Sequence, residues 1–247
     1  MITTMKNNRL NETKIGTATV IVDILPKGRV IPDVKITPTS ITIHNTGNIN
    51  TSAKNNHNYM KNCNKDPKAT VASWHFTVDD KQIYQAQSCN FKCYHAGNST
   101  GNNTSIGIEI CMFNDKERQK QTYLNAIELV KILMNYYKFD SSKVKKHKDW
   151  SGKLCPQWLI QGKFGYTWSW FKNQLTAKTE DKSFPFLIEV VKCDTLNARK
   201  GPSTNYEVAD TVPVGTKLTV VGESGNWYKT KSGLYISKSY CKFYKKL

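Results

Sequence analysis

The segment Ser105-Ile-Gly-Ile-Glu-Ile-Cys-Met112 restricts the fold of this chain more than any other. It is a nearly unbroken apolar run, too short for a helix buried all round, and it reads as a strand covered on both faces. Glu109 is its one charged residue. Leu124, Ile127, Val130, Leu133, Met134 and Tyr137 then recur at helical spacing, with Leu129 and Ile132 widening the stripe, so a helix over 122–137 is expected to pack on that strand's sheet. Upstream, 16–25 reads as an edge strand, 41–44 as a strand and 55–63 as a short helix. Strands 73–78 and 81–85 flank an Asp79-Asp80 turn. The Gly/Asn/Ser segment 98–103 reads as a loop, 156–175 as one or two aromatic-rich helices, and the polar residues 1–15 as loosely packed. Together these predict an α/β domain, a mixed sheet flanked by helices, over 1–177.

The pattern changes after Leu175. A polar, unpatterned stretch predicts a linker over 178–186. Short strands then follow at 187–191, 196–199, 217–221, 227–230 and 234–237, separated by Gly201-Pro202, Gly215, Gly222, Gly225 and Gly233, which predicts a small all-β barrel over 187–247.

Composition narrows the setting. No run approaches the ~18–20 apolar residues of a membrane span, and the apolar stretch at 16–25 carries Asp23 with no small-residue cleavage site after it, so no secretory signal is expected. Seven cysteines without such a signal favour reduced thiols. Cys89 and Cys93 have the spacing of a metal pair, but no second pair accompanies them; Cys193 and Cys241 read as barrel-core residues or exposed thiols. The net charge of +17 predicts attraction to polyanions. No nucleic-acid-binding signature accompanies it, so no nucleic-acid partner is expected.

The chemistry concentrates in His147-Lys-Asp-Trp-Ser-Gly-Lys153-Leu-Cys155-Pro156. A polar turn can bring imidazole and thiol onto one ion, and both suit zinc. A second histidine, His44, ends the run Ser40-Ile-Thr-Ile-His44. Two His and one Cys leave a tetrahedral position open, as catalytic zinc requires.

Four segments in order resemble the type-2 N-acetylmuramoyl-L-alanine amidases, a family that includes many phage endolysins and the peptidoglycan recognition proteins. They are Ile41-Thr-Ile-His44-Asn-Thr, Trp74-His75-Phe-Thr-Val-Asp, His95-Ala-Gly-Asn98 with Ser105-Ile-Gly-Ile-Glu109-Ile-Cys, and 147–156. The resemblance implies zinc on His44, His147 and Cys155, hydrolysis of the bond between N-acetylmuramic acid and L-alanine of the stem peptide by zinc-activated water, Glu109 as general base and Lys153 as oxyanion stabiliser. A carboxylate in an apolar run is costly without a role, which points to Glu109 from the residues alone; its alternative is a salt bridge or a strand-end position. The alternative for Lys153 is an ordinary surface lysine. His95 and Asn98 match the family's substrate-groove loop. Some relatives carry a catalytic tyrosine before the His-Phe pair; Trp74 stands there, with no phenolic hydroxyl to offer. Trp74 and His75 are expected beside the substrate, with a satisfied strand histidine the alternative for His75. Asp149 is expected to orient a ligand or cap a turn, and His57, among asparagines, to be solvent-exposed.

Leu196-Asn-Ala-Arg-Lys-Gly-Pro-Ser203, Val214-Gly-Thr-Lys-Leu218 and Gly225-Asn-Trp-Tyr-Lys229 resemble the bacterial Src-homology-3-like wall-binding domains. The two resemblances imply an endolysin of a phage or prophage with a Gram-positive host. It would be a monomer made in the host cytoplasm, released through a holin, with peptidoglycan and anionic wall polymers as partners. The rival readings are a non-catalytic recognition protein, against which Cys155 argues, and a basic nucleic-acid-binding regulator.

Overall fold

The computed structural model describes residues 4–176 and 184–247. The chain divides into two compact units, Met1–Ala177 and Lys178–Leu247. Of the stretch expected to be a linker, 178–183 lies outside the described residues.

The first unit contains a hairpin of β1 (Met5–Lys6) and β2 (Arg9–Leu10), and a seven-stranded mixed sheet. That sheet comprises β3 (Lys14–Ile15), β4 (Ala18–Val22), β5 (Ser40–Ile49), β6 (Phe76–Val78), β7 (Gln82–Gln85), β8 (Ser105–Met112) and β9 (Val144–Lys146). Its order is β3-β4-β7-β6-β8-β5-β9. The β4/β7, β6/β8, β5/β8 and β5/β9 pairs are parallel; β3/β4 and β6/β7 are antiparallel. As the apolar run requires, β8 is paired on both edges. Side chains alternate along each strand, so Ile41, Ile43, Ile106, Ile108 and Ile110 enter one core beneath α3 (Lys116–Tyr137) and α6 (Trp168–Thr176). The opposite face carries Cys111, which packs with Ala53 at the start of α1 (Ala53–Cys63). Fully burying each large aliphatic contributes about 1.5–3 kcal/mol; Ile127, Leu129, Val130 and Leu133 supply this from α3.

Several boundaries move for identifiable reasons. The long helix begins at Lys116, where Asp115 accepts from the Arg118 amide and caps it; buried Gln119 bonds Phe113 and Cys111, a polar anchor without apolar period. Residues 99–104 form α2 rather than a loop, capped by Asn98 Oδ1 on the Gly101 amide. The residues expected to be loose are packed: Met5, Leu10 and Ile15 join the main core, and Gln85 holds Leu10 and Asn8. The expected edge strand at 16–25 is β4, with the two-residue β3 outside it. His57 is buried rather than exposed, bonded to Asp23 at 2.8 Å and stacked on Tyr84.

The second unit is all-antiparallel, with strands β10 (Phe186–Val190), β11 (Thr195–Arg199), β12 (Val208–Pro213), β13 (Lys217–Ser224), β14 (Trp227–Thr230), β15 (Tyr235–Ser237) and β16 (Cys241–Lys246). Phe186, Ile188, Val190, Val220, Tyr228 and Ile236 form its core, with Cys193 and Cys241 half-buried against it. The sequence does not announce β12 or β16. Both end the strand order and are mostly exposed, so they lack apolar alternation. All seven cysteines are free.

Candidate metal centre and catalytic site

Strand alternation fixes the site. On the face opposite the isoleucines, β5 presents Thr42 and His44, β8 presents Gly107 and Glu109, and β6 presents Thr77, with His44, Glu109 and Thr77 in register across the three strands. Strand β9 runs beside β5 and delivers His147, whose amide donates to Ile43 O. The chain then turns through α4 (Lys148–Ser151), which ends at Gly152 with φ +78°, a left-handed conformation that favours glycine. It returns so that Lys148 N bonds Cys155 O. Cys155 is thereby set against β5, and the Asn45 amide donates to its Sγ at 3.4 Å.

His44 Nδ1 lies 3.1 Å from His147 Nδ1 and 3.8 Å from Cys155 Sγ. Ordinary zinc–ligand bonds in a tetrahedral array imply N···N near ~3.3 Å and N···S near ~3.6 Å. The donor set therefore fits zinc in both chemistry and spacing. Among the described residues this is the one group of three or more such side chains close enough to share an ion. Burial holds His44 well below the ordinary imidazole range, with His95, His147 and Lys153 adding to the effect. Burial likewise lowers His147 and pushes the Cys155 thiol up to about 12. The imidazoles are thus kept neutral, the form in which histidine binds a metal, while a thiolate at Cys155 would call for a cation beside it.

Glu109 Oε1 stands 3.9 Å from His44 Nδ1, and its Oε2 is buried without a hydrogen-bond partner. Burial raises its carboxyl to about 8, against an opposing pull from Lys153. A small cleft of about 190 Å³ brings Glu109, Cys155, Lys153 and Asn45 together. Lys153 is exposed at its rim.

The remaining expected residues lie behind or beside this layer. His75 is fully buried: its Nε2 donates to Phe91 O at 2.8 Å and its Nδ1 accepts from Gly107 N at 3.0 Å. Burial lowers it to about 4. The satisfied strand histidine is therefore its observed state. His95 is also buried, with Nδ1 3.1 Å from His44 Nε2. Trp74 belongs to a satellite core with Leu25, Val30 and Met60, and its indole donates to Thr77. Asn98 is half-buried and caps α2. Asp149 accepts from the Lys146 amide and pairs with its ammonium. Cys89 and Cys93 are buried thiols, both raised by desolvation. Sequence reasoning missed Asn45, whose side chain accepts from Trp158 N at 3.1 Å while its amide serves Cys155. Its position directly after His44 was the available signal.

Residues 35–158 match the family model described as N-acetylmuramoyl-L-alanine amidase, and residues 194–242 match the bacterial SH3 domain. The chain is 42% identical over 158 residues to the N-acetylmuramoyl-L-alanine amidase XlyA of Bacillus subtilis (strain 168), covering 62% of this chain and 50% of XlyA. It is 38% identical over 180 residues to CwlH of the same organism, covering 69% of this chain and 67% of CwlH. It thus spans half the length of one such relative and two thirds of the other. Among solved structures, the catalytic domain of XlyA superposes with a TM-score of 0.56 at 38% identity, covering 64% of this chain and 99% of that one. PlyL superposes with 0.54 at 31% identity, covering 64% and 96%.

Proposed function

Starting from a chain that belongs to the N-acetylmuramoyl-L-alanine amidase family, we propose that it is a zinc-dependent peptidoglycan hydrolase that cleaves the amide between N-acetylmuramic acid and L-alanine of the stem peptide. The observation that carries this reading is the convergence of His44, His147 and Cys155 at zinc-ligand spacing beside the unpartnered carboxyl oxygen of Glu109. When bound, zinc supplies a Lewis acid that polarises the scissile carbonyl and acidifies water. Glu109 takes the proton from the attacking water and passes it to the leaving nitrogen of alanine as the C–N bond breaks. Lys153 stands at the cleft mouth, where its ammonium stabilises the negative charge developing on the carbonyl oxygen. Asn98, at the end of the His-Ala-Gly segment, is the proposed substrate contact from that loop.

The domain plan we propose is a catalytic domain over 1–177, a linker over 178–186 and a wall-binding domain over 187–247. In the barrel, a cleft of about 320 Å³ lined in part by Arg199, Trp227 and Tyr240 offers aromatic and cationic surface for wall polymers. Tethering there raises the local substrate concentration. The biological role proposed is that of an endolysin acting on the wall after release from the host cytoplasm through a holin. No helix among the described residues is long and apolar enough to cross a membrane.

Mass spectrometry of digested peptidoglycan tests the bond assignment. Stem peptides with a free N-terminal alanine, together with unsubstituted muramic acid, are expected; a cut in the glycan or within the peptide refutes it. Elemental analysis tests the ligands: one zinc per chain in the wild type and loss of it in Cys155→Ser. Full zinc and normal activity in that variant remove Cys155 from the site.

A further inference from the structure

We propose that His95 is a positioning residue that fixes which nitrogen of His44 faces the metal site, through a hydrogen-bond chain with only one possible direction. The proposal rests on the metal reading above and gives His95 a role other than substrate contact.

The direction follows by elimination. His95 Nε2 lies 3.2 Å from the Ser105 carbonyl oxygen. A carbonyl only accepts, so Nε2 carries the proton. A neutral imidazole has one N–H, so His95 Nδ1 is left with a lone pair. That lone pair lies 3.1 Å from His44 Nε2, which must then donate. His44 Nδ1 is left unprotonated, and it is the atom facing His147 Nδ1, Cys155 Sγ and Glu109. The Ser105 carbonyl, two hydrogen bonds away from His44, thus decides the tautomer that the metal site needs, because each link permits only one proton placement.

The surroundings hold this chain in place. The His95 and Ala96 amides both donate to Asn102 Oδ1. Ser105 Oγ donates to Gly101 O and accepts from Thr42, which in turn accepts from the Trp150 indole. Gly107 leaves the space that the His95 ring fills. The neighbouring Ala96 backbone hydrogen-bonds the His147 ring. One dipeptide therefore orients both imidazole ligands, His44 through a side chain and His147 through the backbone. With Nδ1 and Nε2 both taken and the residue buried, His95 has no ring nitrogen free for a sugar or a peptide.

The test uses the full chain. Nitrogen-15 imidazole NMR of the metal-free protein should show His44 and His95 both protonated at Nε2; His44 protonated at Nδ1 overturns the proposal, and this readout needs no variant to fold. Zinc affinity by chelator competition supplies the second arm. His95→Asn places an amide oxygen where Nδ1 stands and should keep affinity within about threefold. His95→Gln reaches the Nε2 position but leaves His44 without its acceptor, and should bind zinc about 10–100-fold more weakly. A His95→Gln protein that folds and binds zinc within about twofold of wild type overturns the proposal. Wild-type protein that binds no zinc refutes the metal reading instead, and the tautomer measurement still decides whether His95 sets His44.

Discussion

Gly107→Ala should damage the catalytic unit far more than its size suggests. An added Cβ would lie 2.6, 2.8 and 2.9 Å from Cγ, Cδ2 and Nδ1 of His95. Carbon atoms in favourable contact sit about 3.5–4.0 Å apart, so the overlap is about 1 Å. The ring cannot retreat freely, since both its nitrogens are bonded. Strand β8 cannot retreat either, since β5 and β6 pair with it on both edges. Overpacking of this kind costs about 1–3 kcal/mol, and two strained hydrogen bonds add about 0.5–1.5 kcal/mol each. Alanine returns about 0.5–1 kcal/mol by restricting the unfolded chain. The net cost is about 2–4 kcal/mol, or roughly 5–15 °C in the melting transition of a unit of this size. Calorimetry of the full chain reads it, with zinc affinity measured alongside. Gly222→Ala is the control: its φ is ordinary and the nearest atom to its added Cβ is 3.7 Å away. A Gly107→Ala protein melting within 2 °C (about 0.5 kcal/mol) of wild type, with unchanged zinc binding, would refute the claim that His95 is wedged against this strand.

Further outcomes follow from the same geometry. Glu109→Gln keeps the side-chain volume and the three ligands, so zinc content should persist while turnover falls about a hundredfold or more; Lys153→Ala should lose rate similarly, and near-wild-type rates in either variant would remove that residue from the mechanism. A fragment ending at residue 176 retains all the proposed ligands and should cleave soluble muropeptides but bind walls weakly. A fragment over 184–247 should bind walls and hydrolyse nothing. Its binding should survive 1 M salt, where the screening length is about 3 Å; complete release would make it a cationic tether only. Asp23 is held below its ordinary value chiefly by the hydrogen bond from His57. Its contribution to stability is therefore present above the unfolded value of about 3.9 and fades as pH falls through the lower folded value. Asp23→Asn should accordingly be less stable at pH 7 and indistinguishable from wild type at the acid end of a urea-denaturation series; a pH-independent difference would contradict this.

Local pattern carried much of this protein. The apolar run 105–112 emerged as a doubly paired strand with unchanged bounds, because burial on both faces leaves its mark on every residue. The Asp79-Asp80 turn was legible as a polar break between two apolar runs, and α3 by the apolar stripe of its one buried face. His44, His147 and Cys155 were legible as residue types that suit zinc and Glu109 as a carboxylate in an apolar run, and the family resemblance, not their spacing, joined them into one candidate site. Tertiary structure decided what depends on polar partners distant in sequence. Gln85 ties down the N-terminal hairpin, Asp115 and Gln119 extend α3, and exposed edge strands β12 and β16 carry no period to read. It also decided the places of His75, His95, Trp74 and His57. An isolated histidine in a sequence reveals neither its burial nor its tautomer, since both depend on which carbonyl, amide or ring the fold sets against its two nitrogens.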